Sequence, residues 1–337
     1  MSSAQTSLAS RSAGGTTRSL FQRFRGSWIQ TLYIGIIVGT IGYLALTVEN
    51  FATIQNVTNV LNQSAVLGLL AIGMTYVLVG AGIDLSMPAN MAFTAIVGTM
   101  FMNSGGSAVV ALVLMLIVSG GIGLVNGIAA GWLQMVPFVV TLAMMTVVFG
   151  ASVWLTKSVS VTGVDVVLVD LFATKIGPFQ VSVIGLVLVT VIASVITGKS
   201  SFGRRLYATG MNPRAAKAAG INTNNIIMTT YIVSGITAGL AAIFLISRFG
   251  SASANMGADQ IVLDVVSAAV VGGVSIYGGV GKPYAAVLGA VFITAISNAT
   301  NLMGIDYSIT LVIKGSIIIF FVALDTARRR SMKSGAS

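Results

Sequence analysis

Cysteine and histidine are both absent from the 337 residues, only eight side chains are acidic, and only five residues are proline. Without Cys there are no disulfides, thiolate nucleophiles or thiolate metal ligands. Without His there is no imidazole proton relay and no zinc site of the usual ligand set. No Gly-rich phosphate loop closes on Lys-Ser or Lys-Thr. The residues therefore exclude most hydrolytic chemistry, and neither an enzymatic role nor a metal or cofactor in the chain is expected. Charged residues make up 8% of the chain, where a soluble domain has about 25%. No polar stretch is long enough to bury a core of its own, which excludes a separate soluble domain.

The remainder is apolar. Hydrophobic residues are 55% of the chain, and Gly alone occurs 39 times, a usage common in packed transmembrane helices. The reading is an all-α, polytopic transmembrane bundle. Apolar runs near the ~20 residues that a bilayer requires fall at 28–48, 60–80, 86–103, 108–133, 136–156, 181–198, 226–247, 262–278, 284–303 and 307–324. That predicts about ten spans. The third is short, and the eighth is short and Gly-rich, so both are candidates for broken or re-entrant helices. Residues 1–27, rich in Ser, Thr and Arg, read as a basic cytoplasmic tail or as an organelle transit peptide. Residues 28–325 are the membrane domain and 326–337 a basic C-terminal tail.

The net charge of +10 is dispersed in short patches beside apolar runs. That pattern fixes topology and argues against nucleic acid as a partner. With the N-terminus inside, Arg11, Arg18, Arg23, Arg25, Lys199, Arg204, Arg205, Arg214, Lys217, Lys282, Arg328, Arg329, Arg330 and Lys333 fall inside. Only Lys157, Lys175 and Arg248 fall outside, and Lys314 lies within the last span. This asymmetry predicts an even number of spans with both ends cytoplasmic. Eight spans with two re-entrant segments satisfy it almost as well. Gly123, Gly127 and Gly131 share one helical face, as do Gly235 and Gly239, a spacing that lets helices approach closely.

Three segments stand out. Residues 199–222 form a cationic loop between spans. Within it, Asn212 can cap a helix that starts at Pro213, and Gly220 suits its left-handed stop. Its small Ala face can be gripped by a partner groove, although a solvated connector would read alike. Next, Gly80-Ala81-Gly82-Ile83-Asp84-Leu85-Ser86-Met87-Pro88 breaks one helix and starts another. A carboxylate at membrane depth is a functional candidate by default, and Asp84 can equally be a cap satisfied by backbone N–H groups. Last, Asp264 to Gly281 ends in a run of glycines and carries Ser267 and Ser275. Broken backbone at this depth survives only when buried in protein or lining a cavity. Lys314 can pair with Asp264 or Asp84, or snorkel to an interface.

Taken together and in order, Gly82-Ile83-Asp84-Leu85-Ser86, Val136 to Leu142, Phe202 to Ile221 and Val271 to Gly281 resemble the permease subunits of bacterial ribose, xylose and arabinose ABC importers. The resemblance covers about residues 30–325. It implies a type II-like importer permease in the bacterial inner membrane, paired with a second permease copy or a close relative. It implies a cytoplasmic ATPase, usually two fused nucleotide-binding domains, which uses ATP and Mg, and a periplasmic binding protein that delivers the sugar. Residues 203–220 would be the coupling helix on that ATPase, with Arg204, Tyr207, Gly210, Asn212, Pro213, Ala216 and Gly220 as coupling candidates. Asp84, Ser86, Asn126, Phe138, Asp264 and Ser267 are the substrate-pathway candidates. The chain departs from the family at Pro88, where Gly is usual, at Ala89-Asn90, where Ser-Val is common, and at Val262, where Glu often precedes the Leu-Asp pair. Two alternatives remain: a branched-chain amino acid or nucleoside permease of a related importer, and an ion-coupled secondary transporter using Asp84, Asp264 and Lys314. A purely structural scaffold gains little from so many broken helices.

Overall fold

The computed structural model describes residues 35–257 and 259–333. The 1–27 tail, the first residues of the first predicted span and residues 334–337 lie outside the described residues. The chain is an all-α bundle. Its helices are α1 (Gly35–Thr47), α2 (Ile54–Val79), α3 (Met87–Asn103), α4 (Ala108–Gly127), α5 (Pro137–Thr156), α6 (Val166–Ala173) and α7 (Val181–Lys199). They continue as α8 (Ser201–Met211), α9 (Pro213–Ala218), α10 (Thr223–Phe249), α11 (Asp259–Val271), α12 (Pro283–Leu302) and α13 (Tyr307–Lys333). A π-helical turn, Ile128–Trp132, extends α4.

Local chemistry sets many of the boundaries. Thr53 Oγ1 accepts from Asn56 N to start α2. Pro137 and Pro283 open α5 and α12, where the missing N–H costs nothing. Asn222 caps α10, and Gly250, at φ 64°, ends it. What strand there is forms two small pairs at the end of the bundle away from α8 and α9. There β1 (Val161–Thr162) pairs antiparallel with β4 (Ser251–Ala252), and β2 (Lys175–Ile176) with β3 (Phe179–Gln180).

Among the described residues, 8 helices are long and apolar enough to cross a bilayer: α2, α4 with its π turn, α5, α7, α10, the segment 254–271 that contains α11, α12 and α13. The other two predicted spans correspond to α1, described only from Gly35, and to α3, which has 17 residues. The last helix differs from expectation. The apolar run stops at 324, but α13 continues to Lys333, through the segment read as a tail. Apolarity marks what lipid covers. Helical hydrogen bonding need not stop there.

A close backbone approach joins the antiparallel helices α4 and α10. A Cβ at Gly123 would fall on Tyr231 O and lie 3.1 Å from Gly235 Cα. One at Gly127 or Gly131 would lie 2.6 Å from Met228 O or Asn224 O, and one at Gly235 would fall on Ser119 O. The two backbones therefore touch along three helical turns, as the small-residue spacing predicts. Gly121, one helix face away, has nothing near its missing Cβ. Gly123→Leu should destabilise the purified protein by about 1–3 kcal/mol or more, while Gly121→Leu should be neutral. Thermal denaturation in detergent reads both, and equal losses would contradict this packing.

Candidate functional site

The loop after α2 does not leave the bundle. Gly80, Ala81 (φ 63°) and Gly82 turn the chain back, so that α3 starts deep inside. Asp84 is 2% exposed. Its Oδ1 accepts from Ser86 N at 3.0 Å and from Ser86 Oγ at 2.6 Å, and its Oδ2 accepts from Ser234 Oγ at 2.6 Å. Ser86 Oγ in turn accepts from Asn126 Nδ2 at 2.8 Å. One residue earlier, Ile83 O accepts from Tyr231 Oη at 3.1 Å and lies 3.3 Å from Thr141 Oγ1. This single loop thus joins α4, α5 and α10. Ser234 is the twelfth residue of the 27-residue α10. That places the Asp84 carboxylate about 17 Å from one end of that helix and about 22 Å from the other.

A second helix starts at the same level. After β4, the 3-10 turn Ala254–Gly257 packs on the first half of α3, and α11 begins at Asp259. A Cβ at Gly257 would lie 2.6 Å from Pro88 O and 2.9 Å from Ala92 Cβ. The N-terminal ends of α3 and α11 are therefore neighbours, which is why the third and eighth predicted spans are short. The departures at Pro88 and Asn90 sit here: Pro88 against Gly257, and Asn90 Nδ2 on Ser119 O at 3.1 Å. The buried Asn126 Oδ1 has no hydrogen-bond partner among the described residues.

Of the six pathway candidates, Asp84, Ser86 and Asn126 are thus brought together, along with Ser234, Tyr231 and Thr141, which the sequence reading did not select. Thr141 lay inside a quoted motif, and Ser234 directly precedes the packing glycine Gly235; neither signal separates a hub residue from a packing one. The other three candidates lie elsewhere. Phe138 is 51% exposed near the start of α5. Ser267 donates to Leu263 O within its own helix. Asp264 pairs with Lys314 at 2.9 Å, tying α11 to α13. The Asp84–Asp264–Lys314 relay is therefore not assembled: Asp84 is engaged by serines and Lys314 by Asp264. The sequence reading also passed over Asp325, which is 6% exposed and accepts from Ser275 Oγ at 2.9 Å. It lies just past the predicted end of the last span, where a carboxylate reads as solvated.

In the basic segment, α9 has the predicted caps. Asn212 Oδ1 accepts from Ala215 N at 3.1 Å, Pro213 is the first helical residue, and Gly220 has φ 79°. Ahead of it, Ser201–Met211 is also helical, packed inward. A Cβ at Gly210 would fall on Val79 O, and Tyr207 Oη donates to Gly281 O. Ala216 is 5% exposed. Gly210 and Ala216 therefore offer no surface to a partner, and Tyr207 is half-buried with its hydroxyl turned inward. Their residue types are explained by packing within the chain. Arg204, Asn212, Pro213 and Gly220 are exposed, together with Arg214, Ala215, Lys217, Ala218 and Ala219.

A bundle with two helices starting at mid-depth and one short exposed helix at its end is consistent with a polytopic permease. The family described as "Branched-chain amino acid transport system / permease component" matches residues 56–322, and the chain belongs to it. Among curated relatives, the ribose import permease protein of Bacillus subtilis is 34% identical over 304 residues, covering 87% of this chain and 91% of the relative. The D-allose transport system permease protein of Escherichia coli K12 is 32% identical over 295 residues, covering 87% and 89%. The galactose/methyl galactoside import permease protein of Salmonella typhimurium is 32% identical over 320 residues, covering 87% and 94%. No solved structure matches.

Two stability predictions follow from the geometry. Ser234→Ala removes one charge-assisted hydrogen bond, at a cost of about 1.5–3 kcal/mol. Asp84→Ala strips the acceptor from three donors at once and should cost clearly more; similar melting temperatures for both would remove Asp84 from the centre of the network. For the ion pair, Asp264→Leu or Lys314→Met alone leaves a charge without its partner inside the bundle. The double variant should melt higher than either single one.

Proposed function

We propose that the chain is the membrane subunit of an ATP-binding-cassette importer and forms the translocation pathway for a monosaccharide. The observation that carries this reading is the juxtaposition of the α3 and α11 starts around the Asp84 hub at mid-depth. Interrupted helices at mid-depth supply N–H groups and carbonyls that a continuous helix keeps for itself. Around them lie hydroxyls and an amide, Ser86, Asn126, Thr141 and Ser234, with Asn126 Oδ1 free to accept from a sugar hydroxyl. The named relatives at 32–34% identity are ribose, allose and galactose permeases.

The α8–α9 end faces the cytoplasm, with both termini on that side of the bacterial inner membrane. There α9 is the docking element for a separate ATPase, a fused double nucleotide-binding protein that holds the ATP and Mg. A second permease, a copy or close relative, completes the pathway, and a periplasmic binding protein delivers the sugar. The family description favours a second reading, a branched-chain amino acid importer. A zwitterionic substrate needs counter-ions in its path, and the intramembrane cation Lys314 is committed to Asp264. With Asp84 engaged by Ser86 and Ser234, the remaining hydroxyl and amide groups support the sugar reading.

Competition of uptake by sugars, amino acids and nucleosides separates the two. The docking role is tested on the exposed face of α9. Ala218→Trp should abolish ATP-driven uptake and ATPase pull-down while leaving the melting temperature of the permease unchanged; persistent uptake at normal expression rejects α9 as the docking helix. Because the chain has no Cys, single-cysteine labelling reports sidedness cleanly. A Met211→Cys variant should react with an impermeant thiol reagent only from the cytoplasmic side, and a Lys157→Cys variant only from the other.

A further inference from the structure

A cavity of about 600 Å³ opens at the α8–α9 end, between the end of α7, α8, the loop after α11 and the start of α12. This is the size of a small-ligand site, and it lies apart from the Asp84 hub. Its walls are mostly apolar, formed by Ile37, Val271 and Leu288 with the glycines of the 272–281 loop. Its charged groups are of one sign. Arg204 and Lys282 both line it, no carboxylate does, and neither cation is in an ion pair among the described residues. Arg204 Nη1 donates to Lys199 O at 3.2 Å, and Lys282 Nζ lies 5.5 Å from the centre of the Tyr284 ring. Ser194 Oγ, also in the wall, is buried with no hydrogen-bond partner among the described residues.

We propose that this cavity is a binding site for an anionic phospholipid of the leaflet on the α8–α9 side. Arg204, Lys282 and Ser194 would meet the phosphate, and an acyl chain would lie along Leu288 and the outer face of α7. Three observations select that occupant. Two cations without a carboxylate call for an anion. The lining is apolar, and it continues into exposed apolar surface: Leu288 is 56% exposed on α12, and Val187, Leu188 and Val191 are 55–59% exposed on α7. A soluble anion has no use for that surface. The chain's own N-terminal segment is excluded by charge, since it carries Arg11, Arg18, Arg23 and Arg25 and no acid before Glu49. Basic pockets between helices at the cytoplasmic face suit anionic headgroups. The assignment rests on the proposed orientation for which leaflet supplies the lipid. The site also has a mechanical position: the loop segment Gly279 to Lys282 lines it and is held to α8 by the Tyr207 hydroxyl on Gly281 O. An occupant braces the joint between the basic segment and α11.

Native mass spectrometry of the full chain, delipidated and titrated with phosphatidylglycerol and phosphatidylcholine of identical acyl chains, tests the proposal. We expect one phosphatidylglycerol retained with at least tenfold preference. Lys282→Gln should reduce that preference about fivefold, and adding Arg204→Gln should reduce it about as much again. Ser194→Leu, which fills the cavity without changing its charge, should weaken retention of both lipids. Equal retention of the two lipids overturns the proposal, as does a preference that survives both charge removals. Displacement by excess inorganic phosphate makes the site one for a free anion, and a preference that emerges only after deletion of residues 1–27 makes that segment the occupant; either result also overturns it. The readout does not depend on sidedness, so a reversed topology in the cysteine-labelling experiment is a separate failure.

Discussion

A carboxylate at the middle of a bilayer is sustained only by the donors aimed at it, and the Asp84 loop is organised around that constraint. Two hydroxyls and one backbone N–H converge on its oxygens, and they come from the loop itself and from α10. The same loop hands Ile83 O to Tyr231 and Thr141. In hydrocarbon every unpaired backbone group costs several kcal/mol. A chain that turns back at mid-depth must therefore bring its own partners or bury against helices that have them. Here α10 and α5 provide hydroxyls at the required level, and α4 provides an amide. The close α4–α10 contact is part of the same requirement, because glycine on that face lets α10 lie near enough for Tyr231 and Ser234 to reach the loop.

The two ends of this arrangement are joined through very few groups. Val79 is the last residue of α2, and its carbonyl accepts from Gly279 N at 2.9 Å while lying against Gly210 of α8. Gly281 O takes the Tyr207 hydroxyl. Gly278 and Gly279, at φ 86° and 72°, give the loop a shape that no β-carbon would permit beside Ala81 and Met211. A displacement of α8 therefore acts on the end of α2, five residues before Asp84, and on the loop that follows α11. The break before α3 and the glycine-rich loop after α11 both hang from that one joint. A short helix at the end of the bundle is consequently mechanically connected to its middle without any long-range charge.

How much of this was readable in the chain follows from the range of each interaction. The caps of α9 were legible because Asn212, Pro213 and Gly220 act on their own neighbours. The broken third and eighth spans were legible because glycines and a short apolar run are local facts. The glycine faces of α4 and α10 were legible as packing surfaces, since only close approach makes that spacing useful. What was not legible is what depends on a partner distant in sequence. Gly210 reads as a docking glycine until Val79 O is seen where its side chain would be. Lys314 had two acids to choose from, and only the fold placed α13 beside α11. Asp325 lay beyond the apolar run and was discounted, although α13 continues past it and buries it against Ser275.

The two polar contacts on α13 show why so few charges suffice. Lys314–Asp264 and Asp325–Ser275 are each separated by 50 residues in sequence. The partners on α13 are themselves 11 residues apart, three turns along one face, whereas Asp264 lies on α11 and Ser275 four residues beyond its end, in the loop that follows. One contact therefore ties α11 itself to α13 and the other ties the following loop to α13, in the same chain order, so a slip of α13 by one turn would break both together. Apolar packing in lipid has little directional preference of its own, since side chain and acyl tail are alike to it. Two polar pairs therefore fix what the remaining apolar contacts leave free, and they do so for the helix that also carries the loop joined to α8.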